Sequence, residues 1–152
     1  MRNKVLVLGF GNPGRGDDGL GPLLVEQLEE RVDADVTLLT TMQLQPEHIF
    51  DLDHHEQVLL VDAGLNTPAP FAFEPLQPCH DSCAFSHALS PWTLLAVYRD
   101  TLKKTSPPAH LLTIRGQNFE LGESLSPQAH EHLCQALSFV ESWLANARVV
   151  AG

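Results

Sequence analysis

At 152 residues, 43% hydrophobic and 18% charged, the chain is long enough to build one domain with a real core. It has no apolar run long enough for a membrane span. The formal net charge of −10 works against nucleic acid, whose phosphates call for Lys and Arg, but it is compatible with a basic partner or with a metal that a partner carries. Cys79, Cys83 and Cys134 make an odd count, so no disulfide framework is expected. Arg2 and Lys4 lead straight into a strand pattern, without a signal peptide's long apolar region, and the cytoplasm is the default location.

Strand and helix patterns alternate along the chain. Lys4–Leu8 is a continuous apolar run, as expected of a parallel strand covered on both faces. A glycine-rich turn follows, then a helix over Gly19–Arg31 with Leu20, Leu24 and Leu28 at helical spacing and Asp18 placed to cap it. Val36–Thr41 reads as the second strand. A short helix from Pro46 to Leu52 comes next, and then a third strand, Gln57–Val61, running out on Asp62-Ala-Gly. Residues 66–90 hold four prolines and one short strand, Phe71–Phe73. Ser90-Pro91 and Ser126-Pro127 are cap-and-first-turn pairs opening two further helices, the first to Lys104, with a strand at His110–Arg115 between them. Leu133, Leu137, Val140 and Leu144 put one apolar stripe on the last helix.

This order implies an α/β fold: a mostly parallel sheet of about five strands with helices on both faces. No repeat or linker divides it, so residues 1–152 are read as a single domain. In such sheets ligands bind beyond the carboxyl ends of the strands. Asp17 and Asp18 follow the first strand and Asp62 ends the third, so residues far apart in sequence converge at one edge.

Three residues there carry candidate chemistry. Asp18 and Asp62 offer oxygen ligands, and His87, just before a helix, offers nitrogen. Two carboxylates and an imidazole suit a borderline divalent ion with positions left open for substrate. The alternative makes Asp18 a cap, Asp62 a strand-end turn residue and His87 a loop residue, and spacing alone favours it. Gly9, Gly11 and Gly14 satisfy G-x-G-x-x-G, but a pyrophosphate there would face two aspartates, and the second strand ends Thr40-Thr41-Met42 with no carboxylate for a ribose. Cys79 and Cys83 form half a zinc site with no second pair. His54, His55, His110, His130 and His132 sit in polar stretches and are read mostly as solvated.

Four blocks together resemble the hydrogenase maturation endopeptidases. They are Leu8-Gly-Phe-Gly-Asn-Pro-Gly-Arg-Gly-Asp-Asp-Gly-Leu-Gly21, Leu59-Leu-Val-Asp62-Ala, Ser86-His87-Ala-Leu-Ser, and Leu112-Thr-Ile-Arg-Gly-Gln-Asn-Phe-Glu-Leu-Gly-Glu-Ser-Leu-Ser-Pro127. The resemblance implies a three-layer α/β/α sandwich, phosphorylase/hydrolase-like, and a cytoplasmic, monomeric protease that clips a short C-terminal extension from the nickel-loaded large-subunit precursor of a nickel–iron hydrogenase. It places the family's catalytic and metal positions on Asp18, Asp62 and His87, with the nickel, or another divalent metal in its stead, supplied by the substrate. The family commonly has glutamate where this chain has Asp18, a side chain longer by roughly 1.5 Å. Either the turn moves in, or Asp17 shares the task. Two other readings fit parts of the sequence: a peptidyl-tRNA hydrolase-like esterase, on Gly11-Asn12-Pro13-Gly14, and a non-catalytic nickel-binding maturation factor with the same ligands.

Overall fold

The computed structural model describes residues 3–80 and 89–151. Five strands form one sheet: β1 (Asn3–Phe10), β2 (Val36–Thr41), β3 (His55–Gly64), β4 (Phe71–Pro75) and β5 (Ala109–Arg115). Their order is β2-β1-β3-β5-β4, with β4 antiparallel to β5 and every other pair parallel. The helices are α1 (Leu20–Leu28), α2 (Ile49–Asp53), α3 (Pro91–Leu102) and α4 (Pro127–Ala151), and short 3-10 helices stand at Gly16–Gly19 and Pro46–His48.

The apolar runs form these strands because both of their faces are covered. Val5 and Val7 of β1, Leu59 and Val61 of β3, and Leu112 and Ile114 of β5 pack under α1 and α4. The intervening Leu6, Leu8, Val58, Leu60 and Leu111 pack under α2 and α3. The result is the three-layer sandwich the alternation implied, with a nearly all-apolar interior. The first turn of α3 is built as Ser90-Pro91 foretold, with the Ser90 hydroxyl accepting from the Thr93 amide at 3.1 Å.

Several boundaries differ from the sequence reading, three of them in the elements that carry Asp18 and Asp62. The first helix does not begin under an Asp18 cap: a 3-10 turn covers Gly16–Gly19, the α-helix starts at Leu20, and no side chain caps either segment. The helix also stops at Leu28, short of Arg31. β3 is longer than Gln57–Val61, because pairing with β5 continues from Asp62↔Thr113 through Gly64↔Arg115. Asp62 is therefore a strand residue rather than part of a turn.

Gly21 lets α1 lie close against the sheet. A Cβ there would stand 2.5 Å from the Val61 carbonyl oxygen and 2.8 Å from that of Phe10, backbone atoms that cannot rotate away. Gly21→Ala is therefore expected to lower the unfolding free energy by about 1–3 kcal/mol, as overpacked sites do. A denaturant titration should show an earlier midpoint with an unchanged slope. A midpoint equal to that of the wild type would mean the helix shifts without strain.

Candidate functional site

The strand order 2-1-3 makes the gap between the carboxyl ends of β1 and β3 the switch point of the sheet, where successive crossovers leave in opposite directions. The glycine turn after β1 and the end of β3 both reach this point. Gly11 begins the turn at φ +146°, with its amide donating to the Thr41 carbonyl of β2 at 3.1 Å. A Cβ at Gly11 would collide with the Asp18 carbonyl, so only glycine brings the two limbs of the turn together here.

The two adjacent aspartates have different roles. Asp17 is fully buried. Its Oδ1 accepts from the Ser126 amide at 2.7 Å, and its Oδ2 accepts from the amides of Gln117 (2.7 Å) and Asn118 (3.0 Å) and from the Ser126 hydroxyl (2.7 Å). The Asp17 amide in turn donates to the Asn118 carbonyl at 2.8 Å. Burial alone would raise this carboxyl, but the amides of Ser126, Gln117 and Asn118 and the Ser126 hydroxyl outweigh it and hold the pKa below the usual value. Asp17 is thus a clamp that ties the turn to the segment between β5 and α4. It cannot substitute for Asp18 at a metal, since both of its oxygens are already taken and sealed from solvent.

Asp18 is the aspartate left at the site. Half-buried, it folds back over the turn so that its Oδ2 accepts from the Asn12 amide at 2.8 Å, and among the described residues no donor reaches its Oδ1. The Asn12 side chain holds the turn's outer limb by accepting from the Gly14 amide at 2.9 Å.

Asp62 shares its strand parity with Val58 and Leu60, so it lies on the α2–α3 side of β3. Its Oδ1 accepts from the following amide, Ala63, at 2.8 Å, and again no described donor reaches the second oxygen. Burial raises its pKa to about 7; the Ala63 amide opposes this and the nearby Asp18 charge adds to it. Asp18 and Asp62 are thus close enough for their charges to repel, and among the described residues each keeps one oxygen without a donor.

His87 lies outside the described residues. Among those described, no group of three His, Cys, Asp or Glu side chains is placed to hold a metal. Elsewhere, His54 and His130 are exposed, as their polar stretches suggested, whereas His55 is buried and His110 and His132 are half-buried. His55 is 4% exposed, its Nδ1 bonded to the Asp51 carbonyl. His110 stacks on Phe73 at 4.8 Å, and burial lowers its pKa. His80 pairs with Asp100 at 2.9 Å on the surface.

No family model and no curated protein matches the chain. Solved structures do. The hydrogenase maturating endopeptidase HybD from Escherichia coli aligns over 95% of this chain and 93% of its own, with a TM-score of 0.75 and 22% identity. The [NiFe] hydrogenase maturation protease HycI from Thermococcus kodakarensis KOD1 aligns over 93% and 92%, with a TM-score of 0.72 and 22% identity. A hydrogenase 2 maturation peptidase from Thaumarchaeota archaeon SCGC_AB-539-E09 aligns over 93% and 98%, with a TM-score of 0.69 and 20% identity. At these identities the likeness speaks for architecture: over nearly its whole length, this chain has the fold of the hydrogenase maturation proteases.

Proposed function

We propose that the protein is an endopeptidase that removes a short C-terminal extension from the nickel-loaded large-subunit precursor of a nickel–iron hydrogenase. The observation that carries this reading is the pair Asp18 and Asp62 at the switch point of a fold shared with such proteases, each carboxylate keeping one oxygen without a donor among the described residues. The four sequence blocks support it, since three of them converge at or around this point in space.

In this reading the nickel arrives with the precursor, and Asp18, Asp62 and His87 engage it as oxygen, oxygen and nitrogen ligands, a donor set suited to that ion. A metal held this way polarises a carbonyl or activates a water at the scissile bond. The chain's own part is to fix the two carboxylates together, Asp18 in the turn after β1 and Asp62 near the end of β3. Selectivity follows, because a nickel-free precursor lacks the contact that distinguishes mature substrate from immature. The protein acts as a monomer in the cytoplasm. No described helix is long and apolar enough to cross a membrane.

The test is to incubate the purified protein with nickel-loaded and nickel-free precursor and weigh the products by mass spectrometry. A C-terminal clip is expected with the loaded precursor alone. Equal processing of both forms would remove nickel's recognition role, and processing of neither would overturn the assignment.

A further inference from the structure

Large apolar side chains are rarely left exposed without reason when they gather in one place. Among the described residues four stand out: Met42 (62% exposed), Phe50 (54%), Leu65 (51%) and Leu121 (75%). Three of these are tied by backbone hydrogen bonds to the rim around the carboxylate pair. Met42 follows Thr41, whose carbonyl accepts from Gly11. Leu65 follows Gly64, whose carbonyl accepts from Gly116 at the end of β5. Leu121 precedes Gly122, whose amide donates to the Gly14 carbonyl at 2.8 Å. Beside the same turn a hollow of about 130 Å³ opens, walled largely by Pro13, Pro22, Leu23 and Leu125, a socket of the kind that receives an apolar anchor.

We propose that Met42, Leu65 and Leu121 form the docking rim for the body of the metal-loaded precursor, which seats its apolar surface on them while its cation meets Asp18 and Asp62. The inference rests on the function proposed above. Charge selects this occupant over a second copy of the chain. A second copy would bring its own aspartates and a further net charge of −10 against the site, whereas the metal-loaded precursor brings a cation to the two carboxylates.

Binding and cleavage separate the inference from the reading on which it rests. The triple variant Met42→Gln, Leu65→Gln, Leu121→Gln changes only exposed side chains and keeps wild-type stability. Its affinity for nickel-loaded precursor, measured by surface plasmon resonance, is expected to fall at least tenfold. KM should rise in proportion with kcat unchanged, and Phe50→Gln should alter neither. Triple-variant affinity equal to wild type overturns the rim. So does sedimentation showing a wild-type dimer that the triple variant dissolves, because the rim would then be a self-interface. Wild-type protein that binds the precursor through the rim without clipping it keeps the rim and removes the endopeptidase activity. Wild-type protein that neither binds nor clips overturns both.

Discussion

Asp17→Ala is expected to cost about 4 kcal/mol of stability, whereas Asp18→Ala, one residue away, costs about 1 kcal/mol or less and instead eliminates processing. The fully buried Asp17 carboxylate is the acceptor for three amides and one hydroxyl. Alanine strands all four donors, and each unsatisfied buried group costs about 1–3 kcal/mol, although such losses do not add fully. Against a total stability of roughly 5–15 kcal/mol, that is enough to leave much of the protein unfolded at moderate temperature. Asp17→Asn falls between: one oxygen still accepts, but its NH2 group faces a donor. Asp18, by contrast, gives up one hydrogen bond from Asn12, and its removal relieves the repulsion on Asp62. Equilibrium denaturation of the three variants, alongside the cleavage assay, checks the division. Acid adds a second readout. The Asp17 pKa is lowered in the fold, so its contribution is complete above the ordinary carboxylate range and is lost as pH falls through the lowered value. The alanine variant should lack that part of the wild-type acid transition. An Asp17→Ala protein as stable as wild type would show that the clamp does not hold the turn.

The layer order and the meeting of Asp18 with Asp62 were legible because they rest on local signals. Continuous apolar runs identify strands covered on both faces, and Ser90-Pro91 and Ser126-Pro127 mark helix starts by capping chemistry. The division of labour between Asp17 and Asp18 was not legible. It depends on a segment a hundred residues downstream that supplies the donors, and no period or spacing in one sequence reveals such a contact. Ser126 carried half of the signal: it was read as a cap, which it is for Ala129 at 3.2 Å, but the same hydroxyl also donates to Asp17. The assignment of Asp18 as a helix cap failed for a related reason. The 3-10 turn at Gly16–Gly19 rotates its carboxylate back to Asn12, away from the amides of α1. β3 outran its expected end because pairing with β5, not the residue types Asp62-Ala-Gly, decides where a central strand stops. His55 shows the same limit, lying among polar neighbours in sequence yet buried by the element it joins.

Asp62→Asn is expected to abolish cleavage of the nickel-loaded precursor and, in the metal-free protein, to raise stability at high pH. Both follow from the position of the carboxylate. Asparagine keeps an oxygen to accept from Ala63 but removes the charge that burial disfavours and that Asp18 repels. The native pKa is raised from 3.8 to about 7, so the folded state holds this proton more tightly than the unfolded chain does. Between those values the native form binds more protons, and stability must fall as pH rises. The loss starts near pH 4, is largely complete by pH 8, and amounts to about 4 kcal/mol at the top of that range. The asparagine variant escapes it. Denaturant titrations at pH 4, 6 and 8 should therefore show a stability difference between variant and wild type that is small at pH 4 and widens with pH. A difference independent of pH would mean that Asp62 is not held protonated by its surroundings. The same cost has a functional side: the strain of an ionised Asp62 is relieved when a cation arrives, so the site favours a partner that brings one. A variant that is more stable yet inactive is what that trade predicts, and full cleavage by Asp62→Asn would remove the carboxylate from the reaction altogether.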